Sequence, residues 1–152
     1  MGNPVLIGQY DYTLDTKNRL VVPPRFRELL TQEKGTHIIV AEGIDEECIY
    51  FFLPTLWEQF LVDLKDLAKK MPDKASARAA FRHFFNSARE LEVDDQGRIL
   101  VPESMKEHAR LKKDVMVTGS GNKAEIWDSE RYRHMDKDAK PKLKKLAAEM
   151  GF

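Results

Sequence analysis

The chain has 152 residues, with 25 lysines and arginines against 25 aspartates and glutamates, so its formal charge is zero. That length suits one ordinary domain, or two half-domains that share a core. Neutrality excludes a polycationic nucleic-acid binder, because phosphate affinity scales with the number of cations brought to the backbone; any DNA contact must come from a local cluster or from repeated display of one.

In chain order, residues 1–7 lack the length and basic start of a signal peptide, so none is expected. Residues 9–14 alternate well enough for a strand, Asp15 to Asn18 is turn chemistry, and Leu20-Val21-Val22 resumes as a short buried strand after a hairpin-like reversal. Pro23 then stops the strand and suits the start of a helix over residues 24–30, where Phe26 and Leu30 share one face and Arg25, Arg27 and Glu28 the other. Two apolar runs, 36–41 and 48–53, flank Gly43 as a second hairpin. Cys48 is the single cysteine, which rules out an intrachain disulfide and suits a reducing cytosol; among Ile44, Ile49 and Tyr50 it reads as a small buried hydrophobe.

Helical material follows. Residues 54–70 place Leu56, Trp57, Phe60, Leu61, Leu64, Leu67 and Ala68 at three- and four-residue steps, and Pro72-Asp73 breaks the helix. Residues 75–85 form a second helix with Ala77, Phe81, Phe84 and Phe85 available for packing. Beyond it, Val93 and Ile99-Leu100-Val101 bracket another turn, Pro102 opens a short helix with Met105 and Ala109 on one face, and runs at 114–118 and 124–127 flank Gly119-Ser120-Gly121-Asn122. Ser129 is placed to cap a helix through about Met135, and residues 141–150 carry Leu143, Leu146, Ala147 and Met150 as one stripe. The count of helices leaves some without an obvious internal partner. No apolar run nears the roughly 20 residues needed to span a bilayer.

This order of elements occurs twice because the sequence does. Asp15-Thr16-Lys17-Asn18-Arg19-Leu20-Val21-Val22-Pro23 returns 79 positions later as Asp94-Asp95-Gln96-Gly97-Arg98-Ile99-Leu100-Val101-Pro102. At the same offset Leu14 answers to Val93, Arg27 to Lys106 and Glu28 to Glu107. The register then slips by two, a change that a loop absorbs, and Ile38 and Val40 answer to Val115 and Val117, and Ile49-Tyr50 to Ile126-Trp127. A duplicated unit of this size implies halves that bury their apolar faces against each other. Asn18 and Gly97 occupy the same place, and both residue types tolerate positive φ.

The double Asp-x-x-x-Arg word, its Arg-Leu-Val-Val-Pro and Arg-Ile-Leu-Val-Pro continuations, and the approach Phe84-Phe85-Asn86-Ser87-Ala88-Arg89-Glu90-Leu91-Glu92-Val93 resemble the MraZ family of bacterial proteins over residues 8–132. The resemblance implies an α+β fold in which tandem β-β-α-β units interlock as an AbrB-like swapped-hairpin barrel. The expected parts are a first unit at 8–53, a helical insert at 54–86, a second unit at 87–135 and a C-terminal tail at 136–152. It also implies a cytoplasmic, nucleoid-associated transcription factor, encoded with a division and cell-wall gene cluster, that assembles into rings and binds direct repeats in double-stranded DNA at that cluster's promoter. Asn18 departs from the glycine common at its position, Pro24 doubles the proline, and Ser87 replaces a usual glycine.

The residues that would carry DNA contact are Lys17, Asn18, Arg19, Arg25, Arg27, Gln96 and Arg98. Asp15, Pro23, Asp94, Gly97 and Pro102 are the structural members of the motif. Each arginine of the words has two readings: held by its aspartate as a fold-stabilising pair, or presented to phosphates and guanine edges. The family resemblance tips the arginine of the first word towards DNA. Lys17, Asn18 and Arg19, with a base-reading amide among them and helped by Arg25 and Arg27 on the following helix, form the expected principal contact. Asp95 adds a repelling carboxylate to the second word, which makes Arg98 secondary.

Catalysis is not expected. The four histidines are scattered, no His-x-x-x-His, Cys-x-x-Cys, Gly-x-Gly-x-x-Gly or Walker pattern occurs, and no metal, cofactor or small-molecule substrate is indicated. The competing class is a ring-forming interaction protein whose arginines only pair internally.

Overall fold

Prolines set where the chain stops being extended. Pro24 and Pro54 occupy the first turn of their helices, where a missing amide hydrogen leaves no bond unmade, and Pro102 caps a third. In the computed structural model, which describes residues 2–152, fourteen elements follow in order. They are β1 (Gln9–Thr13), β2 (Arg19–Val21), α1 (Pro24–Gln32), β3 (His37–Glu42), β4 (Ile49–Phe52), α2 (Pro54–Lys70), α3 (Lys74–Ser87), β5 (Arg89–Glu92), β6 (Arg98–Leu100), α4 (Glu103–His108), β7 (Asp114–Gly119), β8 (Ala124–Asp128), α5 (Ser129–Asp136) and α6 (Ala139–Glu149). The fold is α+β. An open six-stranded sheet has the order β1-β7-β8-β4-β3-β5, and a two-stranded ribbon joins β2 to β6, with antiparallel pairing throughout.

The halves are exchanged across this sheet. Only β3–β4 and β7–β8 pair within a half; β1 pairs with β7, β5 with β3, β4 with β8 and β2 with β6. The registers obey the sequence repeat. Leu20 faces its own equivalent Ile99 in the ribbon, and Ile49 faces its equivalent Ile126 at the centre of the sheet, so a local two-fold axis passes through both places. Tyr12 opposite Val115 and Leu91 opposite Ile38 are the same contact made twice. The reversal expected between the first two strands of each half is therefore a turn, but not a paired hairpin. β1 leaves for the sheet and β2 for the ribbon, because the hydrogen bonds of each are completed by the other half.

Side-chain alternation puts helices on both faces of the sheet. Phe51 meets Phe26 of α1 at 5.9 Å between ring centroids, whereas its neighbour Phe52 points the other way, to Trp57 and Phe60 of α2 at 5.0 Å each. This explains why all four residues of β4 are buried. The aromatic contacts continue from Trp57 and Phe60 to Phe84 of α3, so α2 and α3 find their partners within the chain. Each such pair contributes about 0.5–1.5 kcal/mol beyond the area it buries. Asp73 caps α3 by accepting from the amide of Ser76 at 3.1 Å, which restarts a helix directly after Pro72. On α6, Leu143 and Leu146 are exposed, as is Met150 at its C-cap.

Two local expectations change. The cap of α5 is Asp128, accepting from the Arg131 amide at 3.2 Å, rather than Ser129, which is buried as the first helical residue. A carboxylate accepts such bonds more strongly than a hydroxyl. Gly119 lies under the N-terminal segment: a Cβ there would strike the Leu6–Ile7 backbone, and Leu6, fully buried, bridges Gly121. Close backbone approach accounts for this glycine better than turn geometry does.

Candidate nucleic-acid interface

The two Asp-x-x-x-Arg words build the same turn. Asp15 Oδ1 accepts from the amides of Lys17 at 2.9 Å and Arg19 at 2.8 Å, and its Oδ2 accepts from Arg19 Nε at 2.7 Å. Asp94 Oδ1 accepts from the amides of Gln96 and Arg98, both at 2.9 Å, and its Oδ2 from Arg98 Nε at 3.1 Å. The carbonyl of each aspartate closes the turn, to the amide of Asn18 in one copy and Gly97 in the other, both with positive φ. These bonds hold both carboxyls below the ordinary aspartate range; the largest cause is the amide of the arginine four residues on. Each aspartate thus organises its turn and also orients its arginine. The ion pair engages Nε, and the terminal Nη nitrogens take no part in it. Arg19 is 35% exposed and Arg98 24%, so the first arginine is the more accessible.

Because β2 and β6 run antiparallel, each turn abuts the helix start of the other half. The carbonyl of Asn18 accepts from the Val101 amide at 2.8 Å, and that of Gly97 from the Val22 amide at 2.9 Å. The side chains follow. At the first turn Asn18 Nδ2 donates to Glu103 Oε2 at 2.8 Å, and Lys106 Nζ donates to Asn18 Oδ1 at 3.0 Å. At the second, the Arg27 guanidinium occupies the space that a Cβ on Gly97 would need, while Arg27 Nε donates to the Val22 carbonyl at 3.1 Å.

This placement redistributes the expected residues. Lys17 and Arg19 lie together on the first turn, Lys17 exposed, and Gln96 and Arg98 on the second, Gln96 exposed. Arg27, expected to assist the first turn, sits on the second, because the strand exchange carries α1 to the other half's word. Arg25 is exposed and paired with Glu28 at 2.9 Å. The amide of Asn18 is already bonded to α4. Pro23 and Pro102 serve as helix caps whose carbonyls accept the first helical amides. Glu103 and Lys106 were missed as members of the site; the signal for Lys106 was its equivalence to Arg27 in the repeat. Beside the first turn a groove of about 570 Å³ is lined by Glu90, Glu92, Glu103 and Leu100.

Among the described residues no cluster of histidine, cysteine and carboxylate side chains could hold a metal ion, and no helix is long and apolar enough to cross a membrane. Cys48 is fully buried, and burial pushes its thiol pKa up, which keeps it protonated and unreactive.

Fold and site together define a duplicated α+β chain that displays one Asp-organised, arginine-bearing turn from each half beside a helix of the other. The model of the MraZ protein family matches it in two stretches, residues 5–79 and 84–150. Proteins named transcriptional regulator MraZ from Heliobacterium modesticaldum and Alkaliphilus metalliredigens are each 37% identical over 147 residues, covering 96% of both chains. The one from Moorella thermoacetica is 36% identical over 146 residues with the same coverage. The chain belongs to the MraZ family.

Proposed function

We propose that this protein is a transcriptional regulator that binds double-stranded DNA through its two Asp-x-x-x-Arg turns, Lys17 and Arg19 leading and Arg98 second. Its targets are direct repeats in the promoter of a division and cell-wall gene cluster that includes its own gene. The observation that carries this reading is the near full-length similarity to proteins named as transcriptional regulators, joined to two matching turns that orient an arginine each. Strand exchange between the halves supports a swapped-hairpin reading of the open sheet and its ribbon. A ring of such chains would answer the problem of zero net charge, since adjacent subunits meeting consecutive repeats convert weak contacts into avid binding by effective concentration.

One test compares a duplex carrying several direct repeats with a duplex carrying one, at rising salt. Affinity should climb with repeat number and fall as salt increases; binding indifferent to both would sink the reading. Arg19→Ala should abolish promoter binding without changing assembly size, and Arg98→Ala should weaken it less. The ion pairs of both arginines favour one competing reading, an interaction protein whose arginines are purely structural. An Arg19→Ala variant that unfolds or dissociates would support that alternative.

A further inference from the structure

We infer that Lys106, on α4 of the second half, is a phosphate contact of the first turn, and that Glu103 beside it is a carboxylate that restrains the affinity of that contact. Asn18 is the positioning residue that ties both to the turn. The inference rests on the DNA-binding reading above and adds two residues to its site.

The geometry starts with the amide of Asn18. Its Nδ2 donates to Glu103 and its Oδ1 accepts from Lys106. These two bonds take one of the two N–H donors of the amide and one of the two lone pairs of its oxygen, and they fix its orientation. The effect is to hold a lysine at the turn. The bond of Lys106 is to a neutral oxygen, so it does not neutralise the ammonium, which keeps two further N–H donors. Together with exposed Lys17 and partly exposed Arg19, it makes a cationic group drawn from both halves of the chain. The local two-fold repeats the idea at the other turn, where Arg27, the equivalent of Lys106, lies on Gly97.

Glu103 breaks the symmetry. At its equivalent position the first half has Pro24, so the second turn has no carboxylate there. Glu103 also continues the acidic lining formed with Glu90 and Glu92 in the groove beside the first turn. A phosphate approaching Lys106 and Arg19 meets that negative charge as well, and the repulsion acts over the Debye length, about 10 Å at 0.1 M salt.

The test is a fluorescence-anisotropy titration of the full chain on a labelled duplex carrying the direct repeats, at several salt concentrations. Glu103→Gln keeps an acceptor for Asn18 and removes the charge; it should tighten binding by about threefold at low salt, with the gain fading as salt screens it. Such a gain cannot come from misfolding. Lys106→Met should weaken binding and reduce the slope of log affinity against log salt by about 0.9 per engaged chain, and Lys106→Arg should restore both. A loss of stability alone would not change that slope. Unchanged or weaker binding by Glu103→Gln, or an unchanged slope in Lys106→Met, overturns the inference. A wild-type chain that shows no preference for the repeats would instead overturn the DNA-binding reading itself.

Discussion

The first turn, Asp15 to Arg19, and the second, Asp94 to Arg98, make the same aspartate bonds and differ in what lies over them. At the second, a glycine leaves room for the Arg27 guanidinium to settle on the backbone. At the first, the side chain of Asn18 fills that room and receives Glu103 and Lys106 as hydrogen-bond partners. Both solutions satisfy a positive-φ position, at 61° for Asn18 and 78° for Gly97. The difference teaches that a duplicated word preserves its scaffold through the bonds of its aspartate, while the residue at the left-handed position decides how the other half's helix engages the turn. Strand pairings across the two-fold are kept in both halves, whereas the contact of each turn with the other half's helix differs.

The scaffold should be equivalent in the two halves, and the largest effects test this. Leu20 and Ile99 face each other at the local axis and are almost fully buried, so Leu20→Ala and Ile99→Ala should each cost about 2–5 kcal/mol in urea unfolding. Costs differing by several-fold would show that one half dominates the shared core. A smaller effect separates the turns. Gly97→Ala should cost about 1–2 kcal/mol from its left-handed backbone alone, plus the displacement of Arg27. Asn18→Gly relieves the same strain while losing two hydrogen bonds, and should stay within about 1 kcal/mol of wild type. Equal costs for these two variants would contradict the different coverings seen at the turns.

The smallest effect concerns pH and should again be shared. Asp15 and Asp94 are both held below the ordinary value, so the folded chain binds fewer protons than the unfolded chain. Their contribution is fully present above about pH 4, the unfolded aspartate range, and is lost as pH falls through the lower folded values. Thermal unfolding followed between about pH 2 and pH 6 should show this decline. Asp15→Asn and Asp94→Asn should each remove part of it; a decline unchanged in both variants would place the acid sensitivity elsewhere.

Much of this was legible in the residues. The apolar and proline positions of the words, the helix at 54–70 and its stop at Pro72, and the reversals after β3 and β7 follow from periodicity and turn chemistry, which are local properties. The partners were not legible. Nothing in residues 9–14 says whether that strand pairs with the next one or with β7, since both pairings expose the same alternating face. The same gap affected the site: Arg27 is expected beside the first turn because it lies on the helix that follows the first word, and strand exchange places it on Gly97 instead.

The sequence by itself determined that two equivalent halves share one core, that each bears an Asp-organised turn, and that the family is MraZ. These are consequences of a repeated word with a fixed spacing. Only the tertiary structure decided which half completes which strand, and hence that Lys106 and Glu103 belong to the first turn and Arg27 to the second. The physical reason is that hydrogen bonds across a sheet depend on register between segments distant in the chain, and a local two-fold axis such as the one between Leu20 and Ile99 exists only once those segments meet.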